Sequence, residues 1–258
     1  MKNNFNSLVV PIMPNRPLKS LSDNEIFGKI SLRKNLVNGL IENESFNSNI
    51  VSYDTDYHGN QSLSLTFKNH MSDVLKILKQ NCPEGSKFVE IGCGKGDFLE
   101  LIQKDKTFKI YGYDKSYNGN NKAIQKRFLI PSDKIDADLV ILRHVIEHIQ
   151  KPHEFLKFLY DIFGAVDIFI EAPEVNWIIS NNAFFNITYE YVNYFSQKSL
   201  AEFFLTFKKQ GLFFGKQYQY IFANLKELKY SEYSVNYNSN KWLKINFYDL
   251  FPNLINVF

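Results

Sequence analysis

The chain has 258 residues, of which 45% are hydrophobic and 22% are charged, and its formal net charge is +3. This balance is typical of a globular protein with ample length for a buried core. The charge is too small and too evenly spread to favour a nucleic-acid partner. No apolar run has the length of a membrane span, so we expect no membrane partner. Cys82 and Cys93 lack metal-site spacing, and a reducing cytoplasm is the expected location.

The N-terminal part of the chain is weakly patterned. Residues 25–42 are compatible with a strand or a short helix, and residues 53–62 are polar and aromatic, as in a loop or cover segment. An amphipathic helix is predicted next, because apolar residues share one helical face at Met71, Val74, Leu75 and Leu78.

Strands and helices then alternate. Strands are predicted at residues 88–91, 109–113, 137–142, 166–170, 212–214 and 218–223. Helices are predicted at residues 98–103, at residues 152–163, and after Ser196, where Phe203, Phe204 and Phe207 would face inward. This alternation predicts a doubly wound, Rossmann-like α/β fold with a mostly parallel sheet covered on both faces.

A glycine-rich turn is the most informative feature. In residues 87–98 a buried strand runs into Gly-x-Gly-x-Gly at residues 92–96, followed by the start of a helix, where free N–H groups can meet a ligand. Asp97 occupies the third-glycine position of a dinucleotide fingerprint, and Lys95 is not followed by Ser or Thr as in a phosphate-binding loop. With the acid Glu90 ahead of the turn, the pattern suits a positively charged cofactor without phosphates, such as S-adenosylmethionine (SAM).

At this turn the chain resembles the class I SAM-dependent methyltransferases, whose first motif has this form. Residues 138–149, where a strand runs into H-x-x-E-H, resemble the fourth-strand motif of many small-molecule methyltransferases. Residues 53–62 and 189–196 are similar to the cover segment and the "H-E-H-x-x-Y-F-S" segment of bacterial sugar methyltransferases, including nucleotide-sugar C-methyltransferases. The resemblance spans residues 53–223. It implies a seven-stranded class I methyltransferase sheet, with SAM as cofactor and S-adenosylhomocysteine (SAH) as product.

These features divide the chain into three expected parts. Residues 1–69 would form an N-terminal extension and cover segment, residues 70–223 the SAM-binding domain, and residues 224–258 a C-terminal extension of unknown role.

The cofactor contacts follow from the turn and the strand ends. Asp114 ends the second strand roughly 20 residues past the turn, where an acid commonly accepts hydrogen bonds from ribose hydroxyls, although a turn or cap role is the alternative. Glu90 either contacts the methionine end of SAM or orders the glycine loop. Cys93 is expected to line the site without reacting. The predicted cofactor residues are Glu90, Gly92, Cys93, Gly94, Gly96, Phe98, Asp114, Lys115, Arg143 and His144.

Catalysis of methyl transfer rests mainly on alignment, which supplies roughly 7–11 kcal/mol, while a general base adds about 10²–10⁴-fold. His144 is the first candidate for a base or a substrate contact, because its ordinary pKa suits proton transfer near neutral pH, and packing beside the cofactor is the alternative. Glu190 is the second candidate. His148 completes the catalytic set, with a structural histidine as its alternative. No metal is expected, since H-x-x-E-H differs from the H-E-x-x-H of zinc sites.

The acceptor is expected to contact an aromatic and polar set, in which the tyrosines would orient a hydroxyl. These predicted substrate residues are Tyr53, Tyr57, Tyr189, Tyr191 and Asn193. A buried aromatic stripe is the alternative interpretation.

The chain departs from the C-methyltransferases at the acceptor segment. Glu190 is kept, but Thr188 and Tyr191 stand where that family has Tyr and His, and residues 1–81 lack the cysteines of its zinc segment. Transfer to oxygen needs fewer groups. We therefore expect O-methylation of a small polar acceptor, a nucleotide-activated sugar or another precursor of a capsule or surface polysaccharide, with C-methylation as the alternative.

Three rival classes fit less well. Asp97 disfavours an NAD-dependent oxidoreductase. A non-catalytic methyltransferase-like partner protein is the second rival, because a protein can keep a fold after its catalytic activity is lost. A nucleic-acid methyltransferase is disfavoured because no Asn/Asp-Pro-Pro-Tyr/Phe motif follows the fourth predicted strand. The oligomeric state is not predicted.

Overall fold

The computed structural model describes residues 6–13, 25–52, 64–229 and 242–251. Its strands are β1 (Leu8–Pro11), β2 (Phe27–Ile30), β3 (Leu32–Asn35), β4 (Ile41–Asn43), β5 (Lys87–Ile91), β6 (Lys109–Tyr113), β7 (Ile124–Gln125), β8 (Leu139–Arg143), β9 (Asp167–Pro173), β10 (Asn193–Tyr194), β11 (Lys209–Phe213), β12 (Tyr218–Asn224) and β13 (Trp242–Lys244). Its α-helices are α1 (Leu65–Asn81), α2 (Asp97–Asp105), α3 (Pro152–Phe163), α4 (Val175–Ser180), α5 (Gln197–Ala201) and α6 (Phe247–Leu250). Short 3-10 turns cover Ser48–Ile50, Ile146–His148, Phe184–Asn186 and Leu225–Glu227.

A seven-stranded sheet in the order β11-β12-β9-β8-β5-β6-β7 forms the centre of the protein. The strands from β9 to β7 run parallel, and β12 and β11 are antiparallel to their neighbours. This arrangement confirms the predicted doubly wound, mostly parallel sheet of the class I methyltransferase fold. The strand order reverses at β5, which pairs with β6 on one side and β8 on the other, and such a switch point opens a crevice at the carboxyl ends of the strands.

Each face of this sheet carries its own core layer. Successive side chains of β8 point to opposite faces, so Val140 and Leu142 pack in one layer and Leu139 and Ile141 in the other. The first layer is closed by α3 and the second by α1 and α2. Because β8 is buried on both faces, its residues 139–142 form a continuous apolar run rather than an alternating pattern, and only its last residue is charged.

A smaller antiparallel sheet in the order β10-β4-β3-β13 lies beside the central one. The backbone N–H of Asn43 donates to the carbonyl of Val192 at 2.8 Å, and the N–H of Val192 donates to the carbonyl of Glu147 at 2.8 Å. The small sheet thereby holds residues 188–192 against the turn that follows β8. The sheet draws strands from all three predicted parts of the chain, whose boundaries stay predictions.

The structure corrects the prediction for the helix after Ser196 and resolves the alternatives for residues 25–42. The helix after Ser196 starts at the predicted cap but ends at Ala201, so Phe207 does not face inward and is 45% exposed. The chain leaves the helix to pair with a later segment, since the N–H of Lys229 donates to the carbonyl of Phe203. Residues 25–42 form strands β2 and β3 and the start of β4, which resolves the alternatives in favour of strands. Within the described ranges, no helix combines the length and apolarity that crossing a membrane requires.

Candidate functional site

A cavity of about 550 Å³ lies at the carboxyl ends of β5, β6 and β8. Its walls come from the glycine turn, the segments after β6, β7 and β8, the start of α1, and the chain around Glu190. This size and position are those of a small-molecule site at the switch point of an α/β sheet.

The three glycines of the turn have different structural roles. Gly92, Gly94 and Gly96 have φ of +71°, +56° and +87°, which only glycine adopts readily. A Cβ on Gly92 would meet Val145 Cγ2 at 2.5 Å, and one on Gly96 would meet Ile124 Cδ1 at 2.6 Å. A Cβ on Gly94 would meet nothing within 4 Å. Gly92 and Gly96 therefore serve packing, while Gly94 leaves room for a ligand.

Asp114 connects the glycine turn to the end of β6. Its Oδ2 accepts the Gly94 N–H at 2.7 Å, and its Oδ1 accepts the backbone N–H and the hydroxyl of Ser116, each at 2.7 Å. A carboxylate has about four acceptor positions, so capacity is left for a ligand hydroxyl. The next residue, Lys115, lies 5.4 Å above the ring of Phe128 on the same rim.

The segment after β7 supplies an apolar wall that the sequence analysis missed. Phe128 and Leu129 line the cavity, together with Phe155 and Phe158 of α3. The two-residue strand β7 gave no periodicity from which this wall could have been predicted.

Glu90 presents an unsatisfied acid to the cavity. Its side chain is buried, Oε2 has no hydrogen-bond partner among the described residues, and Oε1 lies 4.0 Å from Arg143 Nη1. Burial raises the pKa of Glu90 to about 7, although Arg143 opposes the shift. Arg143 in turn stacks 4.3 Å above the ring of Phe98. A buried acceptor without a partner at a cavity wall fits the ammonium group of an amino-acid cofactor.

His144 follows β8 in a left-handed conformation, with φ of 53°. Its Nε2 lies 3.0 Å from Glu171 Oε1, and its Nδ1 lies 3.5 Å from Glu147 Oε1. Burial alone would lower the pKa of His144, but the two carboxylates outweigh it and raise the pKa to about 9. This shift favours the protonated, positively charged form of His144 at neutral pH, which does not favour the predicted role of base.

His148 has the opposite character. Its Nδ1 donates to the carbonyl of Glu190 at 2.9 Å, and its ring meets that of Tyr191 edge-on at 5.2 Å. Burial lowers the pKa of His148, so the ring is neutral near pH 7. Because Nδ1 carries the proton, Nε2 is the basic nitrogen of this tautomer.

A group that could ligate a metal ion consists of His70, His144 and Glu171, whose ligand atoms lie within 4.8 Å of one another. Glu171 Oε1 lies 2.5 Å from His70 Nε2, and Oε2 accepts from Arg143 Nε at 2.8 Å. Ligands on one zinc ion, with bonds of roughly 2.0–2.2 Å, stand roughly 3 Å or more apart. The 2.5 Å contact is that of a direct hydrogen bond, so these distances describe a hydrogen-bonded network around Glu171.

The structure brings most of the predicted site residues together. Those that line the cavity are Glu90, Gly92, Cys93, Gly94, Phe98, Asp114, Lys115, Arg143, His144, His148, Glu190 and Tyr191. Burial raises the pKa of the Cys93 thiol, in keeping with a residue that lines the site without reacting. Gly96 lies behind the wall as the N-cap of α2.

Tyr189 and Asn193 do not reach the cavity, so the structure does not support them as substrate contacts. The Tyr189 hydroxyl accepts the Asn47 N–H at 2.9 Å, and Asn193 Nδ2 donates to the carbonyl of Ile149 at 2.6 Å. Both side chains are buried and hydrogen-bonded to the backbone of other segments, so they have structural roles. The predicted contacts Tyr53 and Tyr57 lie outside the described residues.

Comparison with known proteins gives one family match. Residues 66–212 match the profile of a family described as "Methyltransferase domain". No curated protein matches the sequence.

Several solved structures are similar to part of this chain. A SAM-dependent methyltransferase from Archaeoglobus fulgidus is 19% identical, with 61% of this chain and 93% of that chain covered and a TM-score of 0.45. Magnesium protoporphyrin IX methyltransferase from Synechocystis PCC 6803, solved with bound SAH, is 15% identical over 62% of this chain and 84% of that chain, with a TM-score of 0.46. A chain from the complex of the Haloferax volcanii Trm112 methyltransferase activator with a methyltransferase is 13% identical over 61% of this chain and 91% of that chain, with a TM-score of 0.49.

Proposed function

We propose a specific reaction for this chain, which belongs to the methyltransferase domain family and is a SAM-dependent methyltransferase. The reaction is methyl transfer to an oxygen of a small polar acceptor. The acceptor class that we propose is a nucleotide-activated sugar or another precursor of a surface polysaccharide. The observation that carries the proposal is a neutral, oriented His148 beside Glu190 in the wall of the cavity.

SAM supplies an electrophilic methyl group on a positively charged sulfur. Three features of the chain support its binding in this cavity: the open space beside Gly94, the remaining acceptor capacity of Asp114, and the unpartnered Oε2 of Glu90. We assign the ribose hydroxyls to Asp114 and the methionine ammonium to Glu90. The apolar wall at Phe128 and Leu129 suits the planar adenine ring.

Deprotonation of the acceptor is assigned to His148. The carbonyl of Glu190 fixes the Nδ1–H tautomer, and this directs the basic character to Nε2. A hydroxyl that loses its proton to Nε2 as the methyl group is transferred needs no further base. His144, which is cationic, acts as a donor at the same wall.

The acceptor end of the cavity combines polar and apolar side chains. We assign Thr188, Glu190 and Tyr191, with Phe67 and Met71 of α1, to this end of the cavity, which they help to line. The buried Thr188 hydroxyl has no hydrogen-bond partner among the described residues, and a hydroxylated ligand would satisfy it. This mixture supports an acceptor with hydroxyl groups and one apolar face, as in a sugar ring.

Methyl transfer to carbon is the second candidate, because Glu190 is kept from the resembled C-methyltransferase segment and is buried in the cavity wall. Enolate chemistry would then centre on Glu190. The two reactions leave the methyl group in different chemical environments.

The test is incubation with SAM carrying a carbon-13 methyl group and a small-molecule extract of the cells that produce the protein, followed by NMR of the products. We expect a methyl-ether resonance that is lost with the His148→Gln variant. An alkyl methyl resonance would replace the proposal with C-methylation. An absence of product from an enzyme that binds SAH would favour the non-catalytic alternative.

A further inference from the structure

Glu171 is the most completely buried acid near the site, and it does not line the cavity. It lies in β9 with 0% of its surface exposed. Three side chains from different parts of the fold converge on its carboxylate: Arg143 at 2.8 Å, His144 at 3.0 Å and His70 at 2.5 Å. A buried carboxylate is tolerated only when such partners compensate the lost hydration.

Two partners of Glu171 line the cavity, and the third lies on a helix that borders it. Arg143 reaches the cofactor side, where it lies near Glu90 and stacks on Phe98. His144 lines the cavity as well, and we assign it to the acceptor side. His70 belongs to α1, in which Phe67, three residues before it, and Met71, the next residue, line the cavity.

We propose that Glu171 is the positioning residue of the active site, a single buried carboxylate that holds the cofactor wall, the acceptor wall and helix α1 in register. This proposal rests on the proposed function only where it names one wall of the cavity as the acceptor wall. What it adds is that one carboxylate couples the positions and charges of His70, Arg143 and His144.

This coupling predicts opposite effects on His144 from two substitutions. The charged or titratable groups that face His144 are Glu171 from β9, Glu147 and His148 from the turn after β8, and His70 from α1. Tyr218 of β12 packs on the ring at 4.5 Å. Glu171→Gln removes one of the two carboxylates, so the pKa of His144 should fall. His70→Phe removes a donor from Glu171 and leaves more of its charge for His144, so the pKa should rise.

His70→Phe is a mild change in packing. The His70 ring lies in an aromatic cluster, 4.8 Å from Phe213 and 5.0 Å from Phe214, which can accept a phenyl ring. Glu174→Gln is the matched control for Glu171→Gln. Glu174 is a buried carboxylate three residues further on that caps α4 through the Trp177 N–H at 2.8 Å, away from the cavity.

The experiment is a pH titration of the histidine ring signals by NMR, on the full chain saturated with SAH, with His144 assigned from its loss in His144→Gln. We expect a His144 titration near pH 9 in the wild type, about one pH unit or more lower in Glu171→Gln, higher in His70→Phe, and unchanged in Glu174→Gln. SAH affinity should fall several-fold in Glu171→Gln alone, because Arg143 loses its anchor.

Shifts in the same direction in both variants, or an unchanged titration in Glu171→Gln, would overturn the proposal. If Glu171→Gln fails to fold, the upward shift in His70→Phe still decides the question. Because the titration involves no acceptor, its outcome is independent of whether the methyl group goes to oxygen.

Discussion

Glu90 makes cofactor binding sensitive to pH. Burial raises its pKa to about 7, and a bound ammonium or sulfonium group would favour the charged carboxylate and lower that pKa again. Binding then releases a proton, so affinity should increase as the pH rises towards 7 and level off above it. Each unit by which the pKa of Glu90 falls on binding corresponds to about a tenfold gain in affinity. Calorimetric titration with SAH between pH 5.5 and 8.5 measures this dependence, and Glu90→Gln should bind weakly at every pH. A variant that keeps the wild-type pH profile would exclude Glu90 as the source.

Asp114 is expected to contribute most to SAH affinity. In Asp114→Asn one acceptor oxygen becomes a donor group that faces the Gly94 N–H or the Ser116 donors, and the charge beside the ribose is lost. A lost buried hydrogen bond costs about 1–3 kcal/mol, so affinity should fall by about tenfold or more. Asp138→Asn is the control, because Asp138 bonds the Lys87 N–H at the opposite ends of the strands. Equal affinities for both variants in calorimetry would contradict the ribose assignment.

The two histidines after β8 predict different pH profiles for catalysis. If the neutral His148 is the base, kcat should be constant around neutral pH and fall only in acid, because burial lowers its pKa. If His144 were the base, kcat would rise until about pH 9, where His144 loses its proton. His148→Gln should lower kcat by about 10²-fold or more and leave SAH affinity nearly unchanged. Steady-state kinetics between pH 5 and 10 separate these cases, and a rising limb near pH 9 would return the role to His144.

At the residue scale, sequence reasoning finds what lies within a motif. Glu90, Gly94 and Asp114 were identified because strand, turn and strand end follow one another along the chain. The contact between His70 and Glu171 joins residues 101 positions apart, and neither stands in a motif. The opposite pKa shifts of His144 and His148 were equally hidden, because they depend on which carboxylate or carbonyl each ring meets in the fold.

At the element scale, the glycines of the turn differ in whether they pack against other residues or leave space for a ligand. Gly94 and Gly85 both have positive φ and open space where a Cβ would point, but only Gly94 lines the cavity. Alanine at either position should cost about 1–2 kcal/mol of unfolding free energy for the left-handed conformation. Only Gly94→Ala should also weaken SAH binding, since its methyl group would occupy ligand space. Chemical denaturation and calorimetry of the two variants provide the test, and unimpaired SAH binding by Gly94→Ala would place the ligand elsewhere.

The predicted bounds of a helix or strand are accurate where residues within that element determine its ends. Helix α3 and strand β6 have the predicted bounds, because Pro152 starts the helix and an apolar strand runs up to Asp114. The segment after α5 was predicted as helix from its three phenylalanines. Its actual path is set by pairing with residues 225–229, a contact that no local pattern reveals.

At the scale of the whole molecule, the alternation of strands and helices predicted the central sheet but not the small one. Strands β3, β4, β10 and β13 are three distant stretches of chain that pair edge to edge, and such non-local pairing leaves little local signal. This sheet matters for function because it holds Glu190 and Tyr191 over the end of β8. The acceptor wall is therefore a product of the whole fold, whereas much of the cofactor wall follows from a short motif.

The most direct test of the account is a crystal structure of the protein with SAH bound. We predict that the ribose hydroxyls contact the Asp114 carboxylate, that the methionine ammonium contacts Glu90, and that the sulfur faces the end of the cavity that holds His148 and Glu190. SAH in the reverse orientation, with adenine at the His148 end, or bound outside this cavity would contradict the account.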